Sequence, residues 1–322
     1  MLYPLQFAPI FKERVWGGRN LERLYGKPLP PDSPIGESWE VSDRPDDVSV
    51  VANGPLAGKS LRWLMEHHGQ ELLGTSFVPN APFPLLVKIL DASDRLSLQV
   101  HPPASVASEL GGKAKSELWY VVDATSTAEL YVGLKQGVTR TEFERCLATG
   151  KVEQCFHKIQ PKAGESIFLP SGRVHGIGSG NVIFEIQQNS DTTYRVFDWN
   201  RVGLDGKPRA LHVLESMASI NFEDFEPSMI SPDKVGSGGI RFEYLLDHDL
   251  FQIHTTQIKR GQHFHIQSHG AQVLGVIAGK LELKGADETL ALKPGDFVLI
   301  PASVQRLTFQ THARTELLAV QF

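Results

Sequence analysis

Four side chains that commonly bind metal ions lie on or beside short strand-like segments of the chain. Gln99 and His101 are two residues apart, so on a strand their side chains face the same side. Glu117 begins the apolar segment 117–122, and His175 follows a Pro-x-Gly turn at the end of another such segment. Strands that carry these residues can converge inside a β-barrel. Two imidazoles and a carboxylate that leave a coordination position open are typical of a catalytic zinc-type site.

Most of the sequence consists of short apolar or alternating segments separated by Gly, Pro, Asp and Ser, which predicts a mainly β fold. The clearest strand segments are 85–90, 117–122, 129–132, 166–169 and 182–187. Many short strands favour a barrel or sandwich of the jelly-roll type. A few helices should decorate it. One is predicted over 139–149, where Thr139 and Glu142 form a capping box, and another over 60–73.

The second part of the chain repeats a signature of the first part. Segment 294–301 (PGDFVLIP) aligns with segment 163–170 (AGESIFLP). In this register Arg306 takes the place of His175, and Gln272 stands about where the metal-binding repeat has its glutamate. The repeat therefore keeps the fold signature and loses the ligands.

This repeat predicts two β-barrel domains. Residues 1–232 would form an N-terminal metal-binding domain with helical additions, and residues 233–322 a degenerate C-terminal domain without metal. Segment 225–239 has two prolines and three glycines and is interpreted as a linker. His263 and His265 alternate but lack a carboxylate partner at the expected spacing, so we expect them to have a structural role.

The composition argues against several functional classes. The chain has 32 Lys and Arg against 37 Asp and Glu, a net charge of −5, which does not favour nucleic-acid binding. Its two cysteines, Cys146 and Cys155, form no CxxC pair, so a reducing cytoplasm is expected. The first residues lack a basic start and are broken by prolines, unlike a signal peptide. No apolar run approaches membrane-spanning length.

Five motifs follow one another along nearly the whole chain. They are FPLLVK at 83–88, LSLQVHP at 96–102, KSE at 115–117, PSGRVH at 170–175 and SDTTYRVFDWNR at 190–201. Together they closely resemble the class I, zinc-dependent mannose-6-phosphate isomerases in their short bacterial form. That family has a two-cupin architecture with metal only in the N-terminal barrel. The resemblance implies one zinc ion per chain and the interconversion of mannose 6-phosphate and fructose 6-phosphate.

The resemblance also implies roles for individual residues. It gives a zinc-ligand set of His101, Glu117 and His175, with Gln99 matching a fourth ligand of longer members. It gives Arg195 a catalytic role. Three further residues match active-site positions of the family: Lys88, Ser97 and Lys115.

The family reaction moves a proton between C2 of an aldose and C1 of a ketose through a cis-enediol. Zinc would act as the electrophile, and Arg195 could bind an enediolate or a phosphate with its guanidinium fork. A zinc ion nearby should lower the pKa of Lys115. Lys88 lies inside an apolar strand, so it must point at a carboxylate, a phosphate or water, and Ser97 can donate to a phosphate. The base has four candidates: Lys115, Tyr194, Glu185 and a zinc-bound water.

Two other functions remain open on the sequence. A cupin oxygenase would hold iron at the same ligands, but the His-x-His pair of many such enzymes is Gln99-Val100-His101 here. The phosphate-suited Lys and Arg residues also have no role in that reaction. A sugar-sensing or storage protein would bind without turnover, against which the intact ligand set and Arg195 argue. Both a monomer and a dimer are compatible with the sequence.

Overall fold

The computed structural model describes residues 2–267, 270–285 and 288–322. It has 43% of the chain in strands and 15% in helices, which confirms the prediction of a mainly β fold. All named strand pairs in these ranges are antiparallel.

Thirteen strands precede residue 198, and they form two large sheets and one small hairpin. The strands are β1 Ile10–Gly18, β2 Ile35–Val41, β3 Asp43–Arg44, β4 Asp47–Val48, β5 Leu85–Ala92, β6 Leu98–Val100, β7 Glu117–Ala124, β8 Leu130–Leu134, β9 Phe156–Ile159, β10 Ser166–Leu169, β11 His175–Ile177, β12 Asn181–Gln188 and β13 Tyr194–Phe197. A six-stranded sheet has the order β1-β2-β5-β12-β7-β10, and a five-stranded sheet has the order β13-β6-β11-β8-β9.

Ten further strands among the described residues form another pair of sheets. They are β14 Asp233–Ser237, β15 Ile240–His248, β16 Phe251–Ile258, β17 His263–Gln267, β18 Gln272–Ala278, β19 Leu281–Gly285, β20 Glu288–Leu292, β21 Phe297–Ile300, β22 Arg306–Thr311 and β23 Thr315–Gln321. The six-stranded sheet has the order β14-β15-β16-β23-β18-β21, and the four-stranded sheet has the order β17-β22-β19-β20. We propose a domain boundary at 232/233, because no sheet of the described ranges combines strands from both sides of it.

Each pair of sheets encloses an apolar core. In the first pair, Leu90, Trp119 and Ile183 of the six-stranded sheet meet Leu130 and Val132 of the five-stranded sheet. The second pair has an equivalent core built from β18, β21 and β23 on one side and β19, β20 and β22 on the other. Burial of these apolar side chains from both sheets holds each pair together.

The outer faces of the two six-stranded sheets belong to one further core. Leu118 and Phe184 from the first sheet join Phe297 and Leu299 from the second, and the aromatic rings of Phe184 and Phe297 are 4.9 Å apart. The N-terminal segment reinforces this packing through a β-bridge between Leu5 and Leu299.

Within the described ranges, five α-helices decorate the sheets: α1 Asn20–Tyr25, α2 Leu61–Leu73, α3 Ala104–Ala107, α4 Arg140–Ala148 and α5 Val213–Ser219. Two predicted helices are confirmed. In α4 the Thr139 hydroxyl caps the helix by accepting from the Glu142 N–H at 3.2 Å, and in α2 Ser60 accepts from the Trp63 N–H at 3.1 Å. Helix α2 is interrupted at His68, whose φ of −135° is not helical. Short 3-10 helices lie at Gly74–Ser76 and Val152–Cys155.

The interpretation of segment 225–239 as a linker was partly wrong. Asp233–Ser237 forms β14, which pairs with β15 over five residues. Strand β14 contains a glycine and no apolar alternation, so the sequence pattern does not indicate a strand. Its backbone hydrogen bonds come from pairing with the neighbouring strand.

The predicted register between the two repeats is confirmed. Gln272 lies opposite Ile300, just as Glu117 lies opposite Leu169. Arg306 begins β22 as His175 begins β11. The second repeat therefore has an amide and a guanidinium at two positions where the first has a carboxylate and an imidazole.

Candidate metal centre

Three buried side chains, His101, Glu117 and His175, each bring a ligand atom to within 4.8 Å of the others. Glu117 is the first residue of β7, His175 is the first residue of β11, and His101 directly follows β6. Glu117 lies between the two histidines, with Oε2 3.5 Å from His101 Nε2 and Oε1 3.5 Å from His175 Nε2. All three side chains are at most 1% exposed. The fold thus brings together three of the residues that the sequence indicated as ligands.

The backbone fixes the tautomer of both histidines. His101 Nδ1 lies 2.8 Å from the Thr192 carbonyl, and His175 Nδ1 lies 2.9 Å from the Arg173 carbonyl. Because a carbonyl only accepts, each Nδ1 carries the proton and each Nε2 turns its lone pair towards Glu117. Burial lowers the pKa of both imidazoles, that of His175 to about 3. Both rings are therefore neutral at neutral pH, which is the form that binds metal.

The cluster has two buried polar atoms without a hydrogen-bond partner among the described residues: His101 Nε2 and Glu117 Oε1. Lys115 Nζ lies 2.8 Å from Glu117 Oε2 and forms an ion pair with it. Burial favours the neutral form of Glu117, but the charge of Lys115 outweighs it and holds its pKa well below the usual range. Unsatisfied buried groups are costly, and a divalent cation would satisfy both unpartnered atoms. Two imidazoles and a carboxylate fit zinc.

Gln99 lies beside this cluster. It is opposite His175 in the sheet, and its Nε2 is 3.2 Å from His175 Nε2. Its Oε1 accepts a hydrogen bond from Ser97 Oγ at 3.3 Å. In this rotamer the amide turns nitrogen towards the cluster, and a flip of the amide would present the oxygen instead. Coordination by Gln99 stays a prediction.

A cavity of about 710 Å³ adjoins the cluster, since Gln99 and Lys115 line it and contact the ligand residues. Its wall includes all the other polar residues that the motifs indicated: Lys88, Ser97, Lys115 and Arg195. It also includes residues that the sequence analysis missed, among them Lys12, Arg14, Trp16, Glu37, Trp39, Asp47, Asp191 and Arg209. Many of these lie on β1 and β2, where polar side chains, half-buried on β1 and buried on β2, interrupt the apolar alternation that identifies strands.

Lys88 and Glu185 form a buried ion pair in the cavity wall. They are opposite each other on β5 and β12, and Lys88 Nζ donates to Glu185 Oε1 at 3.0 Å. The other oxygen of Glu185 accepts from Trp119 Nε1 at 3.0 Å. Lys88 therefore points at a carboxylate, one of its three expected partners. Glu185 is a carboxylate with both oxygens already bonded, which disfavours it as the base.

Glu37 is the most strongly perturbed carboxylate that the sequence analysis missed. It accepts from Trp39 Nε1 at 2.6 Å and from Arg14 Nε at 2.8 Å. Burial alone would raise its pKa, but the charges of Lys88 and Arg14 and these hydrogen bonds lower the pKa to about 2. Glu37 thus holds a fixed negative charge at the cavity wall.

Arg195 donates from Nη1 to the Ala210 carbonyl at 2.8 Å, while its buried Nε has no partner among the described residues. Asp198, three residues further along the chain, does not pair with Arg195, since its carboxylate binds Arg201 and Arg209. Burial and the nearby charge of Arg209 lower the pKa of Arg195. No carboxylate oxygen of the described residues lies within 4.0 Å of this guanidinium, so its charge is available to a ligand.

The two remaining base candidates among the side chains differ in position. Tyr194 donates its hydroxyl to the Leu110 carbonyl at 2.8 Å and does not line the cavity. Lys115 does line it. Burial would lower the pKa of Lys115, but the carboxylates of Glu117 and Glu185 outweigh this and raise it. The charges of the protein's own residues therefore favour the ammonium form of Lys115, which can donate a proton.

The alternating histidines of the second repeat form no comparable cluster. His263 and His265 are exposed, and His265 Nδ1 lies 2.8 Å from Thr308 Oγ1. Across the parts of the chain that the structure describes, the His101, Glu117 and His175 group is the one set of metal-ligating side chains found. Nor does any described helix have the length and apolar character needed to cross a membrane.

The sequence matches two family models. One, for the catalytic domain of type I phosphomannose isomerase, covers residues 4–144, and the other, for the cupin domain of mannose-6-phosphate isomerase, covers residues 243–319. A mannose-6-phosphate isomerase of Streptococcus mutans is 35% identical over 96% of this chain and 96% of its own.

Solved structures agree with these matches. The crystal structure of the mannose 6-phosphate isomerase from Bacillus subtilis superposes with a TM-score of 0.91 at 31% identity and covers 100% of both chains. A structure described as zinc-bound mannose 6-phosphate isomerase has a TM-score of 0.78 at 19% identity over 99% of both chains, a similarity of fold.

The sheets and the buried His/Glu cluster define a cupin-type protein with a candidate metal centre. Because similarity extends over nearly the whole sequence, the chain belongs to the type I mannose-6-phosphate isomerase family.

Proposed function

We propose that this chain interconverts mannose 6-phosphate and fructose 6-phosphate, with one zinc ion held by His101, Glu117 and His175. The observation that carries the proposal is the buried cluster itself. Its His101 Nε2 and Glu117 Oε1 have no partner among the described residues, and the cluster adjoins a cavity lined by lysine and arginine side chains. Gln99 would complete the ligand set through its amide oxygen. The activity of the named relatives supports the same reaction.

Zinc is the metal that the donor set favours, and a fold relative described as zinc-bound supports it. When bound, zinc would polarise the sugar carbonyl and stabilise negative charge on the neighbouring oxygens. Three features of the cluster favour binding of a cation. Both imidazoles are neutral, both are oriented by backbone carbonyls, and Glu117 is ionised despite its burial.

The isomerisation moves a proton between C2 and C1 of the sugar and passes through a cis-enediol. We assign Lys115 as the group that donates a proton to a sugar oxygen and recovers it, since it lines the cavity next to the proposed metal ligand Glu117. Arg195 would hold negative charge on the substrate with a guanidinium that no described carboxylate neutralises. Lys88 and Ser97 would contact the bound sugar phosphate from the same wall.

We also propose a cytoplasmic location. Cys146 and Cys155 are free, buried thiols, which suits a reducing compartment. A phosphorylated sugar, the proposed substrate, carries a charge that keeps it inside the cell. The partner of the site would thus be a small sugar phosphate.

A coupled assay that detects fructose 6-phosphate formed from mannose 6-phosphate tests the function, with metal content measured on the same sample. We expect turnover that is lost on chelation and restored by zinc. Zinc-loaded protein that binds the sugar without turnover would instead support a binding protein. Stoichiometric iron with oxygen consumption would support an oxygenase.

His101→Ala should abolish both the metal and the turnover. The matched control is a variant with His263→Ala and His265→Ala, which removes two exposed histidines from the second repeat. It should keep one metal ion per chain and full turnover.

A further inference from the structure

Six cationic side chains line the cavity, and four of them are each neutralised by their own carboxylate. The four ion pairs are Lys12 with Asp47, Arg14 with Glu37, Lys88 with Glu185, and Lys115 with Glu117. The two remaining cations are Arg195 and Arg209. A dianionic ligand gains most from cations whose charge is not already compensated.

Arg209 shares its carboxylate with a second arginine. Asp198 accepts from Arg209 Nε and Nη2 at 2.7 and 2.6 Å, and it also accepts from Arg201 Nε and Nη2 at 3.1 and 3.0 Å. Asp198 therefore binds two guanidiniums, and Arg201 also pairs with Asp94 at 3.4 Å. Arg209 forms these bonds along one side of its fork and makes no hydrogen bond from Nη1 to the described residues. Its other side is left for a ligand in the cavity.

The chain also keeps Arg209 next to Arg195. The segment that follows Arg209 is tied to Arg195 by three hydrogen bonds. Arg195 Nη1 donates to the Ala210 carbonyl at 2.8 Å, the Arg195 N–H donates to His212 Nδ1 at 3.1 Å, and the His212 N–H donates to the Arg195 carbonyl at 2.8 Å. The two guanidiniums are close enough for the charge of Arg209 to lower the pKa of Arg195. Two like charges held together in this way indicate an anion site.

We infer that Arg209, positioned by Asp198, binds the phosphate group of the substrate, while Arg195 beside it holds the negative charge that develops on the reacting sugar oxygens. The inference rests on the proposed sugar-phosphate substrate. A guanidinium fork matches phosphate oxygens in two-pronged geometry, which suits the free side of Arg209. Lys88, whose charge Glu185 already neutralises at 3.0 Å, then faces the hydroxyl groups of the sugar rather than the phosphate.

Arg209→Ala tests this assignment. The phosphate does not change during isomerisation. The loss of the Arg209 side chain should therefore weaken binding of the ground state and of the transition state equally. We expect KM for mannose 6-phosphate to rise about 10- to 100-fold, the effect of losing a charged hydrogen bond, with kcat changed less than about threefold. The inhibition constant of inorganic phosphate, a competitive probe of the same site, should rise by a similar factor. Arg209→Lys, which keeps the charge, should recover part of both effects.

Arg201→Ala is the matched control. It removes the other arginine bound to Asp198, and Arg201 does not line the cavity. We expect KM and phosphate inhibition close to those of the parent protein. Arg209→Gln gives a second neutral variant of similar size, in case the alanine variant fails to fold.

Three results would overturn the inference. One is an unchanged phosphate inhibition constant in a folded Arg209 variant, and another is an equal rise in KM in Arg201→Ala. The third is a parent enzyme that isomerises mannose 6-phosphate but is not inhibited by inorganic phosphate. A parent protein without isomerase activity would instead contradict the proposed function, so the two failures are distinguishable.

Discussion

Glu37 should stabilise the fold through its ionised carboxylate, and Glu37→Gln removes that contribution. Glutamine keeps the size of the side chain, but it has one acceptor oxygen where Glu37 uses two for Trp39 and Arg14, and it lacks the charge that faces Lys88 and Arg14. The pKa of Glu37 falls from 4.5 to about 2 on folding. At ~1.4 kcal/mol per pKa unit, the charge contributes about 3 kcal/mol to the free energy of unfolding at neutral pH.

The sign of the pH dependence follows from the direction of this shift. A carboxylate whose pKa is lower in the folded state stabilises the fold fully above its unfolded pKa. That contribution is lost as the pH falls through 4.5 towards 2. The advantage of the parent protein over Glu37→Gln should therefore shrink from about 3 kcal/mol at pH 7 to about 2 kcal/mol at pH 3.5.

Urea unfolding of both proteins at the two pH values measures this difference, with a chelator present so that metal release does not contribute. Glu13→Gln, which changes an exposed carboxylate on the same strand as Arg14, is the control and should stay within about 0.5 kcal/mol of the parent protein. A Glu37→Gln variant as stable as the parent protein at pH 7 would refute the reasoning. So would a difference that grows as the pH falls.

Three other changes give distinct outcomes. His175→Ala should remove most bound zinc, measured by elemental analysis, and the isomerase activity with it; retained metal would rule out His175 as a ligand. Arg195→Ala should keep the zinc but lower kcat by about two to three orders of magnitude, the usual cost of losing one preorganised charge-stabilising group, and a normal kcat would show that its role is misassigned. Lys88→Met and Glu185→Gln should each lower the free energy of unfolding by about 2–4 kcal/mol, because breaking a buried pair leaves one charge uncompensated. The double variant should lose at least about 1 kcal/mol less than the sum of the two single losses. Additive unfolding free energies in that cycle would contradict the pairing.

The parts of the site that sequence could predict are those with a local pattern. Gln99 and His101 alternate next to a strand, Glu117 begins an apolar strand, and His175 follows a turn. These positions lie together in the structure because the strands that carry them belong to facing sheets. The helix over 139–149 was likewise predictable, since its cap at Thr139 acts through neighbouring residues.

The parts that sequence missed depend on tertiary contacts. Strand β2 is buried along its whole length although it contains Glu37 and Glu40, and each of these carboxylates is paired with a cation from another segment. Such buried charges break the apolar pattern of a strand, and their partners lie far away in sequence. Arg209 was missed for the same reason. Its proposed role depends on its tertiary contacts with Asp198 and Arg195, and no motif around it in the sequence indicates that role.

Diffraction from zinc-loaded crystals at the zinc absorption edge tests the proposed metal centre most directly. We expect one anomalous peak per chain, about 2.0–2.2 Å from Nε2 of His101, Nε2 of His175 and a carboxylate oxygen of Glu117. A peak at another place, such as beside His263 and His265, or no peak within coordination distance of these three residues, would contradict the account.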